Sequence, residues 1–598
     1  MPSIKLLLVG EGDTMQEVKT KAELAGLKDA VIFTGIRSDV VRLMQAMDTF
    51  VMPSWFEGLP VSLVEAQAAG LPVVASDTIS HDSDITGTIL FKSINEPAAN
   101  WAKCIEEWKE KWGRPDNIEQ IKKAGFDSKS TVKQLVEITV MFRQEKVLLI
   151  FMSCVYAIVG YTTDYPTMQS LSMMGWFGLV QLIYCIMSWM KRGNQFISPY
   201  IIFLLTLYIF SYGQSFLWAL GLESERTLVG FRGCTIPEIF EAQVLTLIML
   251  AFFQVGASYY STNRQTFYND EISVDDTYSL RRIGWFLFIV SVIPYSMETV
   301  QKMIISMTSG YAAIYQGEDK VGLSNWSGII ADYCIPSLIC LYISYRKHKT
   351  MRRSITLFFV VNIVVILVTG GRTFAVILIA LIVILYNYLV KRLTKKWLLV
   401  GCIGAFVLLQ VLSYVANVRV ESGRSASLES MRLENNGSID AVAEMGGTMF
   451  CLIKTRNLVP EKQDYRYGKS YLYAFTSIIP NLGFWDIHPA KKEANLSDWL
   501  TDSLGLDYGT GFSMCAEAFA NFGYLGFIAF FFWGWFMASI LGKIEWSVQT
   551  RNYAQMAFLL ILFWFFLTLP RNNFINLVRP IFFVAGPIYL YCTKFSRR

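Results

Sequence analysis

Charge is scarce in this chain. Of its 598 residues, 17% are Asp, Glu, Lys or Arg, where globular chains carry about 25%, and the mean hydropathy is +0.38. That balance excludes a disordered chain and argues against an ordinary soluble enzyme. Histidine is nearly missing: His81, His348 and His488 are the whole supply. The ten cysteines show no Cys-x-x-Cys pairing, and Cys154, Cys185, Cys340 and Cys402 fall inside apolar runs. Neither a zinc site nor a disulfide framework is expected, and no cofactor is called for. A Gly/Ser-rich linker, an internal repeat and a low-complexity tract are also lacking. The net charge of +5 is carried mostly by short loops and gives no reason to expect a nucleic-acid partner. No cleavable signal is expected at the start, because the apolar run Ile4–Val9 is broken at once by Gly10-Glu11-Gly12.

What the chain has is apolar residues, 53% of it, with 15% aromatic, and they are unevenly spread. Residues 1–145 have the composition of a soluble domain. Residues 146–598 are dominated by apolar stretches of the length that spans a bilayer, about 20 residues. The expected fold is an α/β N-terminal domain, read as cytosolic, followed by a polytopic all-α membrane domain of about twelve helices.

In the first domain, short apolar runs alternate with amphipathic segments, the pattern of a parallel α/β unit. Strands are predicted at Ile4–Val9, Val31–Thr34, Phe50–Pro53 and Pro72–Ser76, and helices at Met15–Ala25, Val40–Ala46 and Ser62–Ala69. Further charged, helical segments follow at Trp101–Trp112 and Ile118–Arg143. The informative stretch is PSWFEGLPVSLVEA, from Pro53 to Ala66. A Gly-containing turn leads into a helix with Pro60 among its first residues, where the missing N–H costs nothing. Such a helix start offers free N–H groups and a positive dipole end to a diphosphate. Glu57 stands in the turn and Glu65 about two turns down the helix, so both can reach one nucleotide-sugar. A capping turn with a solvent-facing glutamate explains the same spacing.

Residues 4–140 resemble the C-terminal half of a GT-B glycosyltransferase of the family 4 type. The resemblance rests on Glu57 and Glu65 seven residues apart in between, on the Phe-Glu-Gly-Leu-Pro core, and on EAQAAGLPVVA from Glu65. It implies a Rossmann-like half of a GT-B fold, with Glu57 on the donor sugar and Glu65 on the nucleotide ribose. The family's acceptor-binding domain and the Arg…Lys pair that grips the donor phosphates do not occur before this strand. The domain is therefore expected to be inactive alone, as a relic, a fused fragment or half of a split enzyme.

Candidate spans fall near 147–161, 171–190, 199–220, 238–259, 284–306, 328–345, 354–370, 373–390, 397–415, 522–541, 556–570 and 577–593. The pair at 354–390 is divided only by Gly370-Gly371-Arg372, so one long bent region is an alternative. Lys and Arg crowd alternate loops, from Lys191 and Arg192 to Lys594, Arg597 and Arg598. The intervening short loops hold only Arg226, Arg232, Lys320, Arg372 and Arg571. By the positive-inside rule, both termini are expected in the cytosol. One outward loop, 416–515, is far longer than the others, and a connection of that length is usually functional or a small domain.

Outward arginines at the membrane edge stand out: Arg372 after two glycines, Arg571 and Arg579 at the start of the last span, and Arg419 and Arg424 leaving the ninth. Arginine stays protonated and grips phosphate through two parallel bonds. A ring of them beside the lipid suits a polyprenyl diphosphate. Anchoring at headgroups, or pairing with Glu421, Glu429 or Glu434, is the plainer reading of any one of them.

Residues 150–595 resemble the Wzy-type oligosaccharide repeat-unit (O-antigen) polymerases. The carrying motifs are VTGGRTF around Arg372, YGKSYLYAFTSIIPN from Tyr467, and GTGFSMCAEAFANFGYLG from Gly509. The resemblance implies a GT-C-like membrane fold in a bacterial cytoplasmic membrane. It also implies transfer of a growing glycan from undecaprenyl pyrophosphate onto the next lipid-linked repeat, with a flippase and a chain-length regulator as partners. Arg372, Arg424 and Arg571 are then the candidates for stabilising the leaving diphosphate, with Arg419 and Arg579 binding substrate. The acceptor base falls to His488 or Glu517; a surface loop histidine and a helix partner of an arginine are the plain alternatives. An O-antigen ligase, a polysaccharide flippase and a membrane-anchored cytosolic glycosyltransferase are the competing readings.

Overall fold

The computed structural model describes residues 4–594 apart from 58–59, 193–194, 223, 225–226, 231, 261–276, 310–324, 370–371, 394–403, 405–436, 482–484 and 507–508. Two compact units result, one formed chiefly by Met1–Met141 and one chiefly by Phe142–Arg598.

The first unit is a small α/β domain. Its elements run β1 (Leu6–Val9), α1 (Met15–Leu24), β2 (Val31–Gly35), α2 (Val40–Ala46), β3 (Phe50–Met52), α3 (Val61–Ala68), β4 (Val73–Ser76), β5 (Ile89–Lys92), α4 (Ala98–Trp112) and α5 (Ile118–Lys123). Every strand pair is parallel. Leu6 lies opposite Val31, Phe50 opposite Val73, and Val73 opposite Ile89. The strands form two sheets, β1-β2 and β3-β4-β5. The core gathers on the second, where Leu63, Ala66 and Leu71 pack with Val73, Ala75 and Ile89, and Met44 of α2 joins them. The buried Gln67 latches α3 to the next loop: its Nε2 donates to Ser83 O at 2.7 Å, and its Oε1 accepts from the N–H groups of Ile85 and Thr86. Gly70 follows α3 with φ of +71°, and a Cβ there would lie 2.5 Å from Pro115 O. That position admits only glycine without displacing backbone. Strand β5 is not anticipated by the sequence pattern.

The second unit is helical. Its elements are α6 (Ser128–Thr162, which begins in the first unit), α7 (Met168–Lys191), α8 (Pro199–Ala219), α9 (Ile236–Ala257), α10 (Thr277–Ser309), α11 (Asn325–Ala331), α12 (Cys334–Ser344), α13 (Lys349–Thr369) and α14 (Arg372–Leu389). Then come α15 (Gly437–Gly446), α16 (Met449–Leu458), α17 (Lys469–Ala474), α18 (Leu496–Leu504), α19 (Met514–Phe522), α20 (Gly526–Gln549), α21 (Tyr553–Phe566), α22 (Ile575–Pro580) and α23 (Gly586–Lys594). Among the described residues, nine helical stretches are long and apolar enough to cross a membrane, and Gly328–Ser344 and Phe374–Leu389 are shorter apolar helices. The stretch expected at 397–415 falls almost wholly outside the described residues. Helices α13 and α14 lie on either side of Gly370-Gly371, where the alternative of one bent region falls outside the described residues.

Local signals explain where several spans begin. Thr235 and Glu238 form a reciprocal capping box at the start of α9, with a proline in its first turn. Ser198 caps α8 ahead of Pro199. Inside the bundle, polar side chains find partners on neighbouring helices: Gln181 Nε2 donates to Tyr208 Oη at 2.9 Å, and Tyr200 Oη donates to Gln254 Oε1 at 2.8 Å. Arg192 pairs with Glu145, both nearly sealed from solvent, and Gln254 Nε2 donates to the same carboxylate at 3.2 Å. Small residues let the long helices touch. A Cβ on Gly256 of α9 would lie 1.9 Å from Phe531 O, and one on Gly534 of α20 would lie 1.7 Å from Phe253 O. The described part of the long 416–515 segment, from Gly437 on, is a series of short helices that pack into the bundle, with Gly446 of α15 against the Gly213–Gln214 backbone of α8.

Candidate active site

A single carboxylate organises the polar centre of the second unit. Ser513 caps α19 by accepting from the Ala516 N–H, which leaves Glu517 in the first turn, near the positive end of the helix dipole. Glu517 is 1% exposed. Its Oε1 accepts from Ser470 Oγ at 2.7 Å and its Oε2 from the Phe574 N–H at 2.7 Å. One turn along, Asn521 Nδ2 donates to Ser470 Oγ at 2.7 Å, so the serine hydroxyl gives its proton to Glu517 and receives one from Asn521. The backbone repeats the tie: the Arg466 and Tyr467 N–H groups donate to Ala520 O and Asn521 O. Tyr467 and Gly468 have φ of 48° and 83°, the turn that brings the chain from this contact into α17. Three separate segments, α17, α19 and 569–574, are thereby held at one point.

The block extends outward through Arg466. Its guanidinium lies over Trp499, 5.0 Å from the ring centroid, and donates to Glu493 O at 3.1 Å. Burial pushes the Arg466 guanidinium below its ordinary pKa, opposed by Glu493 and Glu517. Glu493 sits in a π-helical turn, Ala490–Ala494, a local distortion common at functional sites. His488 opens that turn: its Nδ1 accepts from the Ala490 N–H at 3.1 Å. The ring proton therefore sits on Nε2, which donates to Ile479 O at 2.9 Å. Asn573 Nδ2 donates to Ala494 O at 3.2 Å. His488, Glu517 and the segment carrying Arg571 thus belong to one hydrogen-bonded block.

Arg571 ends the turn Leu569–Arg571. It and Arg232 lie within electrostatic reach of Cys451 on α16, whose thiol burial pushes up to about 12 against their influence. Arg232 and Lys454 also flank the Phe450 ring, 5.2 and 5.6 Å from its centroid. Cations therefore gather about α16. Arg579 keeps different company, within reach of Asp332 beside the Glu298–Lys302 pair of α10. One turn on from Lys302, Ser306 Oγ donates to Thr369 O at 3.0 Å, three residues before Arg372 opens α14. The side chain of Arg372 and the whole of Arg419 and Arg424 lie outside the described residues. Among the described residues, no group of three or more His, Cys, Asp or Glu is placed to hold a metal ion.

In the first unit, Glu57 stands past the end of β3 and its Oε1 accepts from Ser54 Oγ at 3.0 Å. Ser54 O in turn accepts from Thr78 Oγ1 at 2.8 Å, beyond the end of β4. Glu65 is exposed on α3. Glu57 stands near the carboxyl end of a parallel strand, where α/β sheets place ligands.

The family model for O-antigen polysaccharide polymerase Wzy matches residues 145–598. The chain belongs to the Wzy O-antigen polymerase family. The model for glycosyl transferases group 1 matches residues 1–108 of the same chain. Among curated relatives, EpsF of Bacillus subtilis (strain 168) is 37% identical over 138 residues, 22% of this chain and 36% of EpsF. The UDP-Gal:alpha-D-GlcNAc-diphosphoundecaprenol alpha-1,3-galactosyltransferase of Escherichia coli is 35% identical over 78 residues, 13% of this chain and 20% of that enzyme. The N,N'-diacetylbacillosaminyl-diphospho-undecaprenol alpha-1,3-N-acetylgalactosaminyltransferase of Campylobacter jejuni is 54% identical over 48 residues, 8% of this chain and 13% of that enzyme. The chain thus spans about a third or less of the length of these relatives. No solved structure matches it.

Within this Wzy-family chain, sequence reasoning singles out Glu517 but misses Ser470, Asn521, Arg466 and Glu493 as its surroundings. One signal was available. Glu517 and Asn521 stand four residues apart on one face of an otherwise apolar helix, a placement that polar side chains take only when partners await them.

Proposed function

We propose that this Wzy-family chain lengthens a surface glycan at the outer face of the bacterial cytoplasmic membrane. The growing glycan is transferred from its undecaprenyl diphosphate to a hydroxyl of the next lipid-linked repeat unit. The bond from the glycan's C1 to the diphosphate oxygen breaks, a new C1–O bond forms, and the acceptor hydroxyl loses its proton. The observation that carries this reading is the family match across residues 145–598. The names of two head relatives, which specify undecaprenyl-diphosphate-linked sugars, support the lipid carrier. The asymmetric distribution of Lys and Arg supports placing both termini in the cytosol, with about twelve spans between. In this reading residues 1–145 form a cytosolic domain, in which Glu57 and Glu65 hold a nucleotide-sugar, and 146–598 form the polymerase. A flippase supplies the substrate and a chain-length regulator acts on the product.

The leaving diphosphate develops charge that preorganised cations stabilise. Arg571, Arg372 and Arg424 take that role, while Arg419 and Arg579 hold the rest of the lipid-linked substrate. Both oxygens of Glu517 are engaged inside the block, so it acts by positioning the Arg571 segment. His488, half-buried at the π-helical turn, is the acceptor base, and reaches a substrate by releasing one of its two hydrogen bonds.

Replacing Arg372 with alanine is expected to lower the rate of chain extension by about 100-fold or more, as losing a charge-stabilising donor does elsewhere. Arg372→Lys keeps the charge but not the two-pronged grip and is expected to recover only part. Surface-polysaccharide length and the amount of protein in the membrane are the readouts. Normal polymer length from Arg372→Ala would remove Arg372 from the mechanism.

A further inference from the structure

Cations from three stretches of chain meet at one turn of α16. Phe450 and Lys454 stand four residues apart on one face of this helix. The Lys454 ammonium lies 5.6 Å from the centroid of the Phe450 ring, and the Arg232 guanidinium 5.2 Å from it. Two thiols relate the cations to one another. Cys234 is within electrostatic reach of Lys454 and Arg232, and Cys451 of Arg232 and Arg571, so Arg232 is the neighbour common to the other two. The face of an aromatic ring attracts a cation and fixes its place while supplying no counter-charge. Lys454 also has Glu238 within reach, but that carboxylate already accepts from the Thr235 N–H and from Asn457 Nδ2.

Each cation rides on a segment that polar contacts hold in place. Gln214 of α8, 1% exposed, accepts from the Leu228 N–H at 2.9 Å and donates to Ala443 O of α15 at 2.7 Å. The Cys234 N–H returns to Leu228 O at 2.9 Å, which closes the turn bearing Arg232. Asn457 and Arg456 tie α16 to Glu238 and Glu241 of α9, and Cys451 Sγ donates to Thr510 O at 3.7 Å. The Arg571 segment is held by Glu517 through the Phe574 N–H. Cations fixed in advance meet a developing charge without rearranging, which is the condition for electrostatic stabilisation.

We propose that Lys454 and Arg232 join Arg571 in holding the diphosphate of the lipid-linked donor. This rests on the polymerase reading and adds two residues to the site where the glycan leaves. When the bond from C1 to the diphosphate breaks, its electron pair stays on the diphosphate oxygen. The acceptor oxygen takes C1, and the acceptor's proton passes to the base. The free diphosphate then bears one more negative charge than its glycan ester did. A further cation beside it is therefore worth more after the bond breaks than before. An interaction that strengthens toward the transition state raises the rate and not the affinity alone. Arginine supplies paired bonds to phosphate oxygens and lysine a compact point charge, and a diphosphate has room for both.

The probe is undecaprenyl diphosphate, the leaving group itself, titrated into the full chain in detergent with binding read by native mass spectrometry. Undecaprenyl monophosphate and phosphatidylglycerol are run beside it. The parent is expected to prefer the diphosphate to the monophosphate by about tenfold or more. Lys454→Met, which keeps the apolar stem, and Arg232→Gln are each expected to weaken diphosphate binding by about tenfold or more and to narrow that preference. Lys454→Arg keeps binding within about threefold of the parent. Thermal unfolding at the parent's temperature shows that a variant has kept its fold; if Arg232→Gln does not, the two Lys454 variants carry the test. Diphosphate bound as tightly by folded Lys454→Met as by the parent overturns the proposal and leaves the polymerase reading standing. Phosphatidylglycerol bound as well as the diphosphate, with the same dependence on Lys454, also overturns it, by making the cluster a general headgroup site. No diphosphate bound by the parent at about 100 µM overturns the proposal and the polymerase reading together.

Discussion

Gly534→Ala is expected to destabilise the membrane unit by about 3 kcal/mol or more, beyond the usual range for a single added methyl because the obstacle is backbone. A Cβ at this position would lie 1.7 Å from Phe253 O, and its counterpart on Gly256 would lie 1.9 Å from Phe531 O. No rotamer change relieves either clash. The two long helices α9 and α20 must move apart, forfeiting the close backbone approach on which membrane helices depend for packing. Around this contact Phe252 meets Phe527, with ring centroids 4.5 Å apart, and Tyr259 meets Phe531 at 5.5 Å, so separation loosens rings on both sides. Gly256→Ala is expected to cost a similar amount. The double variant should cost less than the sum, since the second methyl enters a gap already opened. Gly328→Ala is the control: it lies in helix α11 with nothing within 4 Å of its Cβ position, so it should be neutral or stabilise by up to about 1 kcal/mol. Thermal unfolding in detergent reads all four. A Gly534→Ala protein as stable as its parent would mean that α9 and α20 do not meet at these glycines.

The second large effect separates two roles for Glu517. Glu517→Ala leaves the Ser470 hydroxyl and the Phe574 N–H without their acceptor in a buried place. Each bond to a charged group is worth about 1.5–3 kcal/mol, so a loss of about 3 kcal/mol or more is expected, together with loss of polymer. Glu517→Gln keeps the shape. Its amide oxygen can accept from the Phe574 N–H, and its amide nitrogen can donate to Ser470 Oγ, which turns its own proton away. As a brace, Glu517→Gln should therefore lose clearly less stability than Glu517→Ala and keep a near-normal polymer length. As the proton acceptor for the incoming hydroxyl, the same variant would fold normally and yield no chain extension. Stability and polymer length measured on both variants distinguish these outcomes, and folded, inactive Glu517→Gln would contradict the positioning role.

How much of this was legible in the sequence depended on the range of the interaction. Helices α1 to α3 and strands β1 to β4 are set by local periodicity and turn residues, and their observed bounds differ by a residue or two from those expected. Strand β5, Ile89–Lys92, went unread although Thr86-Gly87 before it and Asn95-Glu96-Pro97 after it are turn signals. The spans were visible from hydropathy, whereas the segment from Gly437 onward read as a loop. Its helices are short, so no long apolar stripe marks them, and packing rather than propensity holds them. The polar block was beyond reach for a different reason. Ser470 is 47 residues from Glu517, and Phe574 is 57 residues on its other side, so only the fold brings them together. Glu517 itself could be suspected, because an acidic residue in so apolar a setting requires partners. Which partners was not written locally. The glycines behave alike: Gly256 and Gly534 look ordinary in sequence, and only the crossing of α9 with α20 makes each indispensable.

The most direct test of the central claim is the length distribution of surface polysaccharide, run on a gel, from host cells lacking this gene and from the same cells given the full chain. If the chain joins repeat units, the deletion cells carry single repeats on lipid at the outer face, and the full chain restores the ladder of long polymers. Long polymers in the deletion cells would contradict the claim. So would a deletion strain with no single repeats at the outer face, which would move the chain's role upstream, to building or translocating the unit rather than joining it.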